Sequence, residues 1–448
     1  AKADTGSGWT AAKKKLEDIV GASPSLDNRA ALARARTIIA FEFGDGLADA
    51  KAAVDQLAGK GGYDAQIAAA YLALAQNEAA GAKHAADAVL GGHKDDPAAL
   101  YVEGEAQLLN GDSKGAQQQL KAAFDKDPRP LYGVALARAY AASSKWEDAI
   151  GTLDRVLAGS PEHPAAIIAR GMVLAAAGRI APGAAAGTDI HTQLMKVIAE
   201  GRKPLAEQAH GVSPAQMAFA YLSLAQVDFA RGDIAAARND VSAAAQIGVE
   251  DQRFAEEAVD TLYLIGDLAA ARNIAETAMA TWPTSRRVHI AIAEILLAQG
   301  KASDALDILG KSDVTSLPIG QAVRADAKLA TGDTDGARVD YEAALKKLPN
   351  LERALVGRAW LDIAEGNLDD AKKRVEPHYS EKGSSAALTT VYAAILRRSG
   401  ELDKAKTLLE KVVAGPPSGD LVRAQLELAR LDRDMGDLRG ARSAYADA

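Results

Sequence analysis

The chain contains no cysteine in 448 residues. That excludes disulfides, thiolate metal sites and a cysteine nucleophile. Aromatic residues make up only 5% of a composition that is 48% hydrophobic, so its packing falls to Ala, Leu, Ile and Val. No apolar run approaches the ~18 residues that span a bilayer, and no secretory signal pattern is visible. The seven histidines are His84, His93, His163, His191, His210, His289 and His378. No two lie within four residues, so there is no helical metal pair and no HExxH motif. Walker loops, nucleophile elbows and dinucleotide fingerprints are also missing. The net charge of −8 disfavours a generic nucleic-acid role. The acidic pairs Asp95-Asp96 and Asp369-Asp370 fall where helices begin and read as caps. The expectation is a protein that is not an enzyme and needs no cofactor or metal.

What the chain has in abundance is small residues, and they keep time. Gly232, Gly266 and Gly300 are 34 residues apart, as are Gly332, Gly366 and Gly400. Five residues after each stands an alanine: Ala237, Ala271, Ala305, Ala337, Ala371 and Ala405. Seven residues before stands a small or β-branched residue: Ala225, Val259, Ala293, Ala325, Ala359 and Ala393. A fixed period of this size marks stacked supersecondary units.

One unit shows the physical logic. The apolar spacing of Ala258, Leu262 and Ile265 predicts a helix over 253–265. Gly266 ends it, because glycine enters the left-handed region without a Cβ penalty, and Asp267 caps the next. Leu268 to Ala280 forms that second helix, and Trp282-Pro283 stops it. Val259 and Ala271 are small enough to sit where two backbones cross. Upstream, Gly111-Asp112 is followed by Ala116 and Pro128, and Ser144 replaces glycine in a unit that keeps Trp146, Ala149 and Pro161. Ala80 is assigned the glycine's place in an earlier unit, with Ala85 and Pro97. Gly44-Asp45 marks a looser unit, and Gly178 and Gly436 mark two more.

The pattern resembles the tetratricopeptide repeat family, with its period of ~34 residues. The resemblance implies an all-α, right-handed superhelical solenoid of about twelve antiparallel helix pairs. Several units depart from the pattern: Gly183 stands where alanine is expected, Val249 and Gly383 replace the closing proline that Pro417 keeps, and Pro318 arrives one residue late. Trp9, Ala12 and Pro24 match Trp146, Ala149 and Pro161 in spacing, so residues 1–24 read as a half-repeat holding a second helix only. A first arm covers 25–178, an insertion or extended repeat covers 179–213, and a second arm covers 214–448. The half-units at both ends and the start at Ala1 leave open a longer polypeptide, including a removed signal sequence.

The insertion arises because Gly178 and Gly232 are 54 residues apart, one period plus 20. Its start, 179–187, has loop composition. Residues 188–200 predict a helix with Ile190, Leu194, Val197 and Ile198 apolar and Thr188 or Asp189 as cap. A lengthened turn and tail around an ordinary second helix is the plain reading; a partner-docking element or a bend is the alternative.

The family resemblance also implies that first helices line a concave groove, with residues two, three, six, ten and thirteen before each glycine facing inwards. The middle units then offer apolar candidates: Tyr101, Leu108, Leu109, Leu131, Val134, Ile168, Met172, Phe219, Leu222 and Phe229. The last units offer a basic and aromatic set: Arg353, Trp360, Arg397, Arg398, Arg423, Arg430 and Arg433. Each set has a plain alternative, neighbour packing for the first and a solvated face balanced by Glu427, Asp432 and Asp434 for the second. The function this implies is a non-catalytic scaffold holding extended or helical segments of other proteins in a bacterial cell-envelope assembly, periplasmic or outer-membrane-associated. A cytoplasmic setting stays open. The alternative function is a polysaccharide- or peptidoglycan-associated module, with an anionic glycan on the arginine-rich units.

Overall fold

The computed structural model describes residues 4–57, 60, 62–181, 183, 189–248, 250–380, 384–415 and 420–448. Thr188, Val249, Gly383 and Pro417, named above as cap or closing positions, lie outside the described residues. The regular secondary structure among the described residues is helical. A lone helix α1 (Gly6–Ala22) precedes twelve pairs. They are α2 (Leu26–Phe43) with α3 (Leu47–Leu57), α4 (Tyr63–Ala75) with α5 (Ala79–Gly92), and α6 (Pro97–Leu109) with α7 (Ser113–Lys126). Next come α8 (Pro130–Ala141) with α9 (Trp146–Gly159), α10 (Pro164–Ala176) with α11 (Asp189–Gly201), and α12 (Pro214–Arg231) with α13 (Ile234–Gln246). After these stand α14 (Gln252–Ile265) with α15 (Leu268–Thr281), α16 (Arg286–Ala298) with α17 (Ala302–Leu309), and α18 (Pro318–Ala330) with α19 (Thr334–Lys347). The last are α20 (Glu352–Ala364) with α21 (Leu368–Val375), α22 (Ala386–Arg398) with α23 (Leu402–Val413), and α24 (Leu421–Asp434) with α25 (Leu438–Asp447).

Each pair turns on a residue in the left-handed region: Gly44, Asn77, Gly111, Ser144, Gly178, Gly232, Gly266, Gly300, Gly332, Gly366, Gly400 or Gly436, with φ between 55° and 91°. Gly46 and Gly183 are further left-handed residues in the α2–α3 and α10–α11 connections. The assignment of Ala80 is therefore corrected: it lies inside α5, and the turn residue is Asn77 with φ 60°. Asparagine tolerates this conformation because its short amide bonds locally, whereas alanine has no such compensation. With Asn77 in place the beat from Gly44 to Gly178 stays within a residue of regular.

Caps and small residues stand where the period places them. Asp112, Asp267, Asp333 and Asp437 each accept a hydrogen bond from a backbone N–H three residues on. Asp96 caps α6, with its carboxylate 2.8 Å from the Ala99 nitrogen. Ala82, Ala116, Ala149, Ala237, Ala271, Ala305, Ala337, Ala371 and Ala405 have no exposed surface. Seven residues before the turn, Ala70, Ala137, Ala225, Ala293, Ala325, Ala359 and Ala393 are likewise fully enclosed. Gly104 and Gly171 hold the same place, and a Cβ on Gly104 would sit 2.5 Å from the Leu120 side chain. Small residues thus set the close helix contacts at these two positions of each unit.

α11 takes the place of an ordinary second helix beside α10, with Ile190, Leu194, Val197 and Ile198 buried. The extra residues fall before and after it, in the turn and in the tail that leads to Pro214.

The helices gather into two compact units. The first comprises 1–176, 185–227 and 235–261; the second comprises 177–184, 228–234 and 262–448. This grouping follows spatial proximity, whereas the two arms read from sequence divide at the insertion.

Candidate inner faces of the first helices

In the first unit, the predicted apolar candidates divide by burial. Tyr101, Leu131, Val134 and Leu222 are buried, Tyr101 with 2% and Leu222 with 0% of its surface exposed. They pack between neighbouring helices and offer a partner little area. Leu108, Leu109, Met172 and Phe219 are partly exposed. Phe219 meets the edge of Phe254, ring centroids 5.9 Å apart. Ile168 is buried. Phe229, which belongs to the second unit, is partly exposed.

The inner positions also carry a column of rings. Phe41, Tyr71, Tyr101 and Tyr132, one from each of α2, α4, α6 and α8, have successive centroid separations of 6.2, 5.9 and 4.7 Å. The Tyr101 hydroxyl donates to the Glu42 carboxylate. Arg138 pairs with Glu105. Arg253 donates to the Phe41 carbonyl at 2.9 Å and stacks 5.0 Å from the Phe41 ring centroid. Its other partner is Asp251, 3.1 Å away. Burial, with Glu105 adding to it, raises the Glu42 carboxyl to about 7 against the opposing pull of the Tyr101 hydroxyl, Arg138 and Arg253. The interior here is filled by the chain's own side chains.

In the second unit, most of the predicted arginines face carboxylates. Arg353 pairs with both Glu294 and Asp326, and the Tyr341 hydroxyl donates to Asp326. Arg397 bonds Glu427 at 3.3 Å and also pairs with Asp434. Arg430 pairs with Glu427, Arg433 lies 3.6 Å from Asp434, and Arg398 donates to the Ile363 carbonyl at 3.1 Å. Glu427 and Asp434 are counter-charges to three of these arginines, but Glu427 is buried, so the pairing is not that of a solvated face. Asp432 instead pairs with Lys406.

Arg423 is different. It is exposed, and its guanidinium lies 5.1 Å from the Trp360 ring centroid. Among the described residues, no carboxylate lies within ion-pair distance of it. The Trp360 indole N–H is buried and has no hydrogen-bond acceptor among the described residues. The buried indole N–H without an acceptor costs free energy, while the exposed Arg423 guanidinium is open to an anion. Burial raises the carboxyls of Glu294 and Asp420 above the usual range, opposed by Arg353 in both and by Arg423 in Asp420.

Six charged inner residues were not among the sequence candidates: Glu42, Glu105, Arg138, Arg253, Glu294 and Asp326. Their signal was present. Glu105, Arg138, Glu294 and Asp326 each stand six residues before a turn residue, and Arg253 stands thirteen before Gly266. No group of three or more His, Asp or Glu able to hold a metal occurs among the described residues. No helix among them is long and apolar enough to cross a membrane.

Antiparallel helix pairs, each turning on a left-handed residue and stacked within each unit, define an all-α solenoid of helical repeats. Models described as tetratricopeptide repeat match residues 67–129, 134–188, 218–239 and 265–312. The chain is a tetratricopeptide repeat protein, a fold that supports protein–protein interaction scaffolds. It is similar to the cellulose synthase 1 operon protein C of Komagataeibacter xylinus, 32% identical over 95 residues. That match covers 20% of this chain and only 7% of the relative's length. Among solved structures, the Cut9-Hcn1 hetero-tetramer of the APC/C aligns over 97% of this chain and 82% of that one, with 13% identity and a TM-score of 0.55. Yeast Tom70 aligns over 86% of this chain and 90% of its own, with 14% identity and a TM-score of 0.40.

Proposed function

We propose that the chain is a non-catalytic scaffold that holds segments of other proteins, and that α20, α22 and α24 carry the contact. The observation that carries this reading is Arg423 beside Trp360, a cation and a buried N–H donor with no acceptor. A partner carboxylate would pair with Arg423 beside the Trp360 ring, and a charge-assisted bond of this kind is among the stronger ones available. The exposed Arg398, which bonds a backbone carbonyl and no carboxylate, adds positive charge on α22, inside an acidic protein. The filled interior of the first unit supports placing the contact in the second. The setting proposed is a bacterial cell-envelope complex, supported by the partial similarity to a cellulose synthase operon protein.

The test compares captured partners. The full chain and its Trp360→Ala and Arg423→Glu variants are immobilised and exposed to envelope extract and, separately, to soluble anionic polysaccharide. The scaffold reading expects a specific protein that both variants lose. An unchanged protein set would overturn the placement on α20 and α24. Retention of polysaccharide alone would overturn the protein-partner reading.

A further inference from the structure

In the first unit, residues 4–9 form a short strap that runs into the first turn of α1. Asp4 is 1% exposed. Its carboxylate pairs with Arg129, and its carbonyl lies 3.0 Å from the His163 Nε2. The Ser7 N–H donates to the His210 carbonyl at 3.1 Å, and the Ser7 hydroxyl donates to the Ala209 carbonyl at 3.1 Å. Gly6 lies so close to Gly211 that a Cβ on it would stand 2.1 Å from the Gly211 oxygen. The Arg129 guanidinium sits between two rings, 5.6 Å from the Trp9 centroid and 5.5 Å from that of Tyr132.

The receiving groups come from the connections that enter three successive first helices, and His163 and His210 have holding contacts outside the strap. Arg129 is the residue before α8. The His163 ring accepts from the Ala166 N–H at the start of α10. Glu200 holds His210 through its backbone N–H at 2.6 Å and its Nδ1 at 3.1 Å. The strap is held by backbone bonds, one buried acid, one glycine-on-glycine contact and one aromatic face. Peptides are gripped in trans by the same means. Trp9 packs against the core, but no residue of α1 is buried, so the helix beyond the strap is shallowly embedded.

We infer that Arg129, His163 and residues 209–211 form a peptide-receptor site occupied in cis by Asp4–Trp9, and that the strap is releasable. The site recognises a segment with a carboxylate, a glycine two residues later, then serine, and an aromatic five residues after the acid. It is separate from the α20–α24 face, and neither reading depends on the other.

The test uses a labelled peptide of residues 4–22 and the full chain. Wild-type, Gly6→Val and Gly6→Val/Arg129→Ala chains are titrated by fluorescence anisotropy, with helicity checked by circular dichroism. Gly6→Val cannot seat its own strap. It should bind the peptide on the order of tenfold more tightly than wild type, because the resident competitor is gone. Adding Arg129→Ala should remove that gain. Equal affinity across all three chains, or no binding to a Gly6→Val chain that keeps its helicity, would overturn the inference. General loss of helicity in Gly6→Val would also overturn it, by making the strap part of the folding core. In wild type, hydrogen exchange at the Ser7 amide should run faster than in α8; equal protection counts against release.

Discussion

The Tyr101 hydroxyl donates to the Glu42 carboxylate, so the third first helix, α6, is tied to the end of the first, α2. The bond skips α4, and it holds an acid in a filled interior where its charge is poorly solvated.

Glu42 therefore carries a pH dependence whose sign is fixed. Its carboxyl is raised from 4.5 to about 7 in the folded protein. Below about 4.5 both folded and unfolded chains are protonated and nothing is lost. Between about 4.5 and about 7 the unfolded chain releases a proton that the folded chain retains, so this group's contribution to stability falls as pH rises and levels off above that range. The loss is up to roughly 3 kcal/mol. Glu42→Gln should lie closer to wild type in stability at low pH and exceed it near neutrality, read from urea midpoints across the range. A gap independent of pH would contradict this.

Asn77 and Ser144 are the two described turn residues that are not glycine, with φ 60° and 55°. Ser144→Gly should stabilise by about 0.5–1 kcal/mol, since strain relief outweighs added chain entropy. Asn77→Ala should destabilise by about 1 kcal/mol. Paired denaturant titrations distinguish these signs.

Arg353 stands between Glu294 and Asp326, with Tyr341 donating to the latter. Arg353→Ala leaves two carboxylates facing each other on a largely buried face and should cost about 2–4 kcal/mol. Adding Glu294→Gln should recover part of that loss. A double variant no better than the single one would place the cost in packing rather than charge.

Two glycines should respond oppositely to alanine. Gly104→Ala drives a Cβ into Leu120 and should destabilise by about 1–3 kcal/mol. Gly151 lies in α9 with nothing within 4 Å of its would-be Cβ. There the same change should stabilise by up to about 1 kcal/mol through helix propensity. Thermal melts of the two variants provide the comparison.

The helix pairs were legible because their signals are local: a turn residue, a cap and two small positions repeat within one period. Asn77 escaped because the place was given to the small residue Ala80, although asparagine itself favours the left-handed region. The inner faces were legible only as positions. That Tyr101 is enclosed and Arg423 is not depends on how first helices distant in sequence converge. Arg253 reaches Phe41 across 212 residues, a proximity set by the summed small rotations of successive pairs. The charged residues at the sixth position before the turn were visible, but their counter-charges lie one or two pairs away.

A left-handed turn residue in every pair also makes the chain a ruler with interchangeable segments. Removing 333–366 would excise α19 and α20 and rejoin Gly332 to Asn367, leaving α18 followed directly by α21 with the beat unbroken. Length in this protein is thus a discrete variable, open to gene duplication or to an engineer in steps of one period, while the chemistry on each inner face is carried along as a movable part.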